Sequence, residues 1–121
     1  MQTLAAVGQI VLSLYFLYNG ANHFLNFKGL TAYAAAKEVP FPGAAVAVSG
    51  LMLLAGGLSL LLEYQVAAGS VILALFLVPT SFLMHNFWAV EDEAARAGEL
   101  AHFLKNIALA AAVLQLPSVL G

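Results

Sequence analysis

The chain has no cysteine and little charge: four Lys or Arg and six Asp or Glu among 121 residues, 8% in all. Without cysteine there is no disulfide, no thiol redox chemistry, no thiolate-held Fe–S cluster and no cysteine-based zinc site. Any redox role must then use a bound cofactor. No run of Lys or Arg occurs and the net charge is −2, so the electrostatic footprint for nucleic acid is missing and no nucleic-acid partner is expected.

What fills the chain instead is apolar: 63% of its residues are hydrophobic, at a mean hydropathy of +0.95. This length allows one domain, and a soluble domain so small could not hide that much apolar surface. Four runs come close to the roughly 20 residues that a helix needs to cross a bilayer core. They are about Leu4 to Leu25, Ala44 to Leu62, Val66 to Trp88 and Leu100 to Leu120. The fold expected is all-α, an integral membrane four-helix up-down bundle in a single membrane domain over residues 1–121. The first run has no basic start and is too long for a signal core, so despite the cleavage-like Ala34-x-Ala36 it reads as a retained membrane helix.

Between runs one and two, Pro40-Phe41-Pro42-Gly43 should end any local helix, leaving Tyr33 to Lys37 as a short interfacial helix. Run two is rich in small residues and should pack closely. The brief Glu63-Tyr64-Gln65 turn makes runs two and three an antiparallel hairpin. Pro79 removes the helical donor for the Leu75 carbonyl and predicts a kink, with Thr80 and Ser81 placed to satisfy the freed group. Run four follows an acidic connection, Ala89 to Glu99, and ends near Pro117. Lys28, Lys37 and Arg96 fall in the first and third loops, with Lys105 close by. The positive-inside rule then puts both termini outside the cell membrane and loops 26–43 and 89–99 in the cytoplasm.

In such a bundle the ends of runs one and three and the starts of runs two and four share one face. That face gathers all three His. Asn19 and His23, Ser81 and His85, and His102 and Asn106 are each four residues apart, on one face of their helix. At about 1.5 Å per residue, His23, His85 and His102 fall in one layer, with Asn19, Ser49, Ser81 and Asn106 a turn deeper. The far half reads as nearly all apolar. Unpaired polar groups in hydrocarbon cost several kcal/mol, so the cluster should face inward, hydrogen-bonded or wet. Lys105 can snorkel to the interface or turn in as the site's positive charge.

Two readings of the layer compete: interhelical hydrogen bonds that fix register, and a pocket for a headgroup or cofactor. No H-x-x-E-H spacing and no carboxylate in the layer is evident, so no metal ligand is assigned. Most aromatics, among them Phe82, Phe87, Trp88 and Phe103, sit at this end; they read as an interfacial belt or as a slot for a flat ring. Glu91-Asp92-Glu93 reads as charge at a helix N-terminus. Gly56-Gly57 reads as packing within the protomer, with a homo-oligomer as the other possibility.

Gly20-x-x-His23-Phe24 ending run one, Gly56-Gly57 in run two, His85-x-Phe87-Trp88 ending run three and Phe103-x-Lys105-Asn106 in run four together resemble the DoxX-like membrane proteins. The resemblance covers nearly the whole chain. It implies a four-helix membrane bundle and links to quinone chemistry, oxidative stress or the assembly of membrane receptors.

The function expected is a quinone-linked redox or oxidative-stress accessory, at most an accessory subunit of a membrane oxidoreductase. The cofactor-binding candidates are His23, His85 and His102 as donors to a quinone carbonyl, Asn19, Asn106 and Lys105 as secondary contacts, and Trp88 beside them. Membrane lipid and a partner membrane or redox protein are the expected partners. The alternative is a non-enzymatic assembly or scaffold factor, and a solute or proton pathway ranks last.

Overall fold

The computed structural model describes residues 2–120. The order is α1 (Gln2–Leu25), α2 (Phe27–Ala36), α3 (Pro42–Leu62), α4 (Val66–Met84), a 3-10 turn at Phe87–Ala89, and α5 (Glu93–Leu120), with no strand among the described residues. Helices α1, α3, α4 and α5 are long and apolar enough to cross a membrane. The expected four-helix membrane bundle is the fold found.

Glycine sets how closely three of these helices approach. On the α1–α3 seam, a Cβ on Gly20 would lie 2.8 Å from Leu54 Cγ and one on Gly50 would lie 2.8 Å from His23 Cβ. On the α3–α4 seam, a Cβ on Gly56 would run into the Leu73 side chain. Helices with no lipid-excluding force between them associate through such close van der Waals contact. The stripe of small residues in run two is therefore used inside the chain. Phe16, Leu53, Leu60, Leu73, Leu77 and Val113 form the buried core between the four long helices.

The bundle is not equally tight all round. Helix α1 packs along α3, α3 along α4 and α4 along α5, whereas α1 and α5 have no extended backbone contact. Large side chains span that flank at mid-depth, with Phe16 of α1 in the same cluster as Ala110 and Val113 of α5.

The interfacial segment is longer than expected. Helix α2 begins at Phe27 and not at Tyr33, because the turn at Asn26 keeps the ladder going: the Asn26 amide donates to the Asn22 carbonyl, and the Leu30 amide to that of Asn26. Pro42 occupies the first turn of α3, where its missing N–H costs nothing. The α3–α4 turn holds Glu63 and Gln65 at φ 52° and 53°. Ser59 Oγ lies 2.6 Å from the Tyr64 carbonyl and 2.9 Å from that of Gln65, donating its one hydrogen between them.

Other boundaries also move. Helix α4 stops at Met84, not Trp88, so His85 is its C-cap. Helix α5 starts at Glu93, seven residues before Leu100, because Asp92 caps it: Asp92 Oδ2 accepts from the Ala95 amide at 2.9 Å. It runs past Pro117 to Leu120. Ser81 Oγ donates to the carbonyl of Leu77 at 2.8 Å and not to that of Leu75. The far half is less apolar than expected, since Gln9, Ser13 and Ser70 are all buried there. Gln9 Nε2 donates to the Leu60 carbonyl at the end of α3, 2.8 Å away, and Ser13 Oγ to the Gln9 carbonyl at 2.7 Å, while Ser70 Oγ has no partner among the described residues.

The glycine seams predict a difference between two substitutions. Gly56→Ala, which must displace Leu73, should destabilise the fold by about 1–3 kcal/mol. Gly8→Ala, with nothing within 4 Å of the added methyl, should be neutral or stabilising by up to about 1 kcal/mol. Unfolding in detergent measures both, and equal effects at the two sites would rule out the seam as the cause.

Candidate functional site

At the polar end the helices enclose a cavity of about 300 Å³. Its walls are mainly apolar, from Phe16, Leu53, Phe76 and Leu77 at the base to Leu30 and Ala34 of α2. Helix α2 is thus its roof. The polar groups come from every side: Tyr15, Asn19 and His23 of α1, Ser49 of α3, Thr80 of α4 and His85 at its C-cap, and Lys105 and Asn106 of α5, with Tyr33 on the roof.

The α1 residues line the cavity because they follow one another at four-residue steps, and each reaches back one turn. Asn19 Nδ2 donates to the Tyr15 carbonyl and His23 Nδ1 to the Asn19 carbonyl, each at 2.8 Å. Ser49 Oγ does the same on α3, to the Val46 carbonyl at 3.1 Å. On α5, Asn106 is only 6% exposed and makes no side-chain hydrogen bond to another described residue, so its amide opens onto the cavity. On the neighbouring residue, the Lys105 ammonium sits 5.9 Å from the centre of the Tyr15 ring and so reaches across the α1–α5 flank.

Of the candidates read from the sequence, Asn19, His23, His85, Lys105 and Asn106 line this one cavity, and His102 and Trp88 do not. His102 is exposed and stacks behind His85, with ring centres 5.0 Å apart. Trp88, 55% exposed, joins Phe82, Phe87 and Phe103 in an edge-to-face cluster on the outside of α4 and α5. For Trp88 the reason is the end of α4 at Met84. The chain turns there, and only the first residue past the helix points at the cavity.

Sequence reasoning also missed a carboxylate. Glu99 lies in the His layer: its Oε2 is 3.4 Å from His85 Nδ1 and 3.5 Å from Lys37 Nζ. Lys37 also donates to Asn86 Oδ1 at 3.0 Å. This clasp fastens the end of α2 to the α4–α5 connection and to α5. With α5 beginning at Glu93, Glu99, His102 and Asn106 share a helix face at three- and four-residue spacing, a signal that a start at Leu100 conceals. Even with Glu99 present, no group of three or more His, Asp or Glu among the described residues is arranged to hold a metal ion.

Helices able to cross a bilayer, bundled about a polar-ended cavity under an interfacial roof, define a multi-pass integral membrane protein. The DoxX family model matches residues 4–86, more than half of the chain, and the chain belongs to that family. The match spans α1 to α4 and leaves Glu99, Lys105 and Asn106 outside it. No curated protein and no solved structure matches the chain.

Burial, and then the Glu99 carboxylate beside it, push the Tyr33 phenol above the usual phenol value. The folded state therefore holds this proton more tightly than the unfolded chain. The stability it brings is complete below the unfolded-state value and is lost as pH rises through the folded one. At neutral pH Tyr33 is a hydroxyl on the cavity roof. In an alkaline titration followed by tyrosinate absorbance, Tyr33→Phe should remove a component that ionises above the ordinary phenol value. Loss of a component at or below that value would contradict the assignment.

Proposed function

We propose that the cavity binds the ring headgroup of a membrane amphiphile of the quinone class, and that the protein serves a membrane redox or oxidative-stress system as an accessory. The observation that carries this reading is Asn106: a residue nine-tenths buried whose side-chain amide opens onto an apolar cavity and makes no hydrogen bond to another described residue. A polar amide that opens onto an apolar cavity and has no protein partner there is a group that a ligand or water completes.

The size and shape of the space support the same class. About 300 Å³ is the low end of the range for ligand pockets, roughly 300–1,000 Å³, enough for one substituted ring and too little for a whole lipid. An apolar tail attached to that ring would leave toward the α1–α5 flank, where the two helices meet through side chains and not through backbone packing. The ring itself would lie under α2, among Asn19, His23, His85, Lys105 and Asn106. By the Lys/Arg bias this end faces the cytoplasm. The reading needs no flavin or metal in the chain, and electrons would come from a partner redox protein.

The scaffold alternative would use the glycines of α3 as a grip for another membrane protein. Gly56 and Gly57 are both buried, against Leu73 and Leu17 of the same chain, so they are not free for that role.

Calorimetric titration of the detergent-solubilised protein with a short-tailed probe, decylubiquinone or its reduced form, tests the proposal. Asn106→Leu keeps the volume and removes the amide, and should weaken binding at least about tenfold. If neither form of the probe binds, or Asn106→Leu binds as the unaltered protein does, the reading is wrong.

A further inference from the structure

The hydrogens around the cavity are unevenly committed. His23 Nδ1 lies 2.8 Å from the Asn19 carbonyl oxygen. A carbonyl can only accept, so Nδ1 carries the hydrogen and donates it. His85 Nδ1 likewise faces a carboxylate oxygen of Glu99, at 3.4 Å, and an ionised carboxylate also only accepts. A neutral imidazole with its hydrogen on Nδ1 has one ring nitrogen left, and that Nε2 is a bare acceptor. Ser49 has given its hydroxyl hydrogen to Val46, and Asn19 one of its amide hydrogens to Tyr15. The hydroxyls of Tyr15, Thr80 and Tyr33, which also line the cavity, can donate or accept and so suit either form of a ring ligand, whereas the two imidazoles offer it lone pairs. Across from them, Lys105 can only donate, and Asn106 has its whole amide free.

We infer that the cavity is built for the reduced, hydroxyl-bearing form of its ring ligand, a hydroquinone or phenol carrying an apolar tail. Its O–H groups donate to Nε2 of His23 and of His85, and a ring oxygen accepts from Lys105 or Asn106. This rests on the ring-amphiphile reading above and specifies its ligand. It also reverses the donor role expected of these His from the sequence. A quinone carbonyl brings no hydrogen and would leave two partly buried imidazole acceptors unpaired, whereas a hydroquinone oxygen both donates and accepts and so satisfies both walls. Discrimination of this kind comes from the buried groups left unpaired by the wrong ligand, as in sites built to bind a substrate hydroxyl.

The test compares decylubiquinol, kept reduced under anaerobic conditions, with decylubiquinone in the same detergent by calorimetric titration. The reduced form should bind about tenfold more tightly or better. His23→Phe and His85→Phe, which keep a ring and remove the acceptor, should each bring the ratio toward one. Oxidised probe binding as tightly as reduced, or a ratio unmoved in both variants, overturns the inference and leaves the ring-amphiphile reading standing. Binding of neither form overturns both. Should the variants fail to fold, the comparison of the two forms on the unaltered protein still decides.

Discussion

Inside a bilayer a polar hydrogen has no water to turn to, and this constraint shapes the whole chain. Ser13, Asn19, His23 and Ser81 each donate to the carbonyl four residues back on their own helix, and Ser49 to the one three back. Such back-bonds let a helix carry polar residues through hydrocarbon without calling on a neighbour. They have a second effect, because a group that has given its hydrogen away presents lone pairs to whatever lies next to it. The character of the cavity is thus decided by how α1 and α3 solve their own solvation problem.

The cavity itself follows from unequal packing. Glycines on α1, α3 and α4 draw those three helices into close contact, and side chains on the opposite flank, Phe16 and Val113 at mid-depth and Lys105 over Tyr15 nearer the end, are large enough to keep α1 and α5 apart. A bundle tight on one side and propped on the other leaves space between. At the far end that space is filled by the core, and by Gln9, which reaches the last turn of α3. At the polar end it stays open beneath α2. Helix α2, between the first two membrane spans, roofs that space with Leu30, Tyr33 and Ala34.

Much of this was legible in the sequence. Hydropathy alone gave four spans and the hairpin, and the four-residue spacing of Asn19 with His23 and of His102 with Asn106, combined with depth, brought the polar groups to one end. What failed was local. Placing Trp88 in the site assumes that a helix runs the full length of its apolar stretch, but α4 ends at Met84, and α5 begins at Glu93; His102 shares a face with Asn106 yet lies a turn nearer the exposed end of α5. Apolar runs measure what the membrane accepts, whereas helix ends are decided by caps such as Asp92. Glu99 was hidden by the same error, since an acidic residue counted as loop is not tested for a helix face. Tyr15 and Tyr33 were missed because tyrosine near an interface reads as a belt residue; only the position of α2 turns Tyr33 into a roof.

Glu99 joins the two parts of the site that the back-bonds leave separate. Its carboxylate meets Lys37 of the roof and His85 of the wall within 3.5 Å. Partly exposed pairs of this kind contribute at most about 1 kcal/mol, so the seat of α2 rests more on Ala34 and its apolar neighbours than on the ion pair. What the carboxylate does is directional. By holding Nδ1–H of His85 it assigns the free lone pair of that ring to Nε2, as the Asn19 carbonyl does for His23. The same oxygen that orients the wall also receives the ammonium that ends the roof. A roof displaced from α5 would therefore take a positive charge away from Glu99 and change the partner that orients His85, so the closure of the cavity and the hydrogen-bonding sense of its wall depend on one side chain.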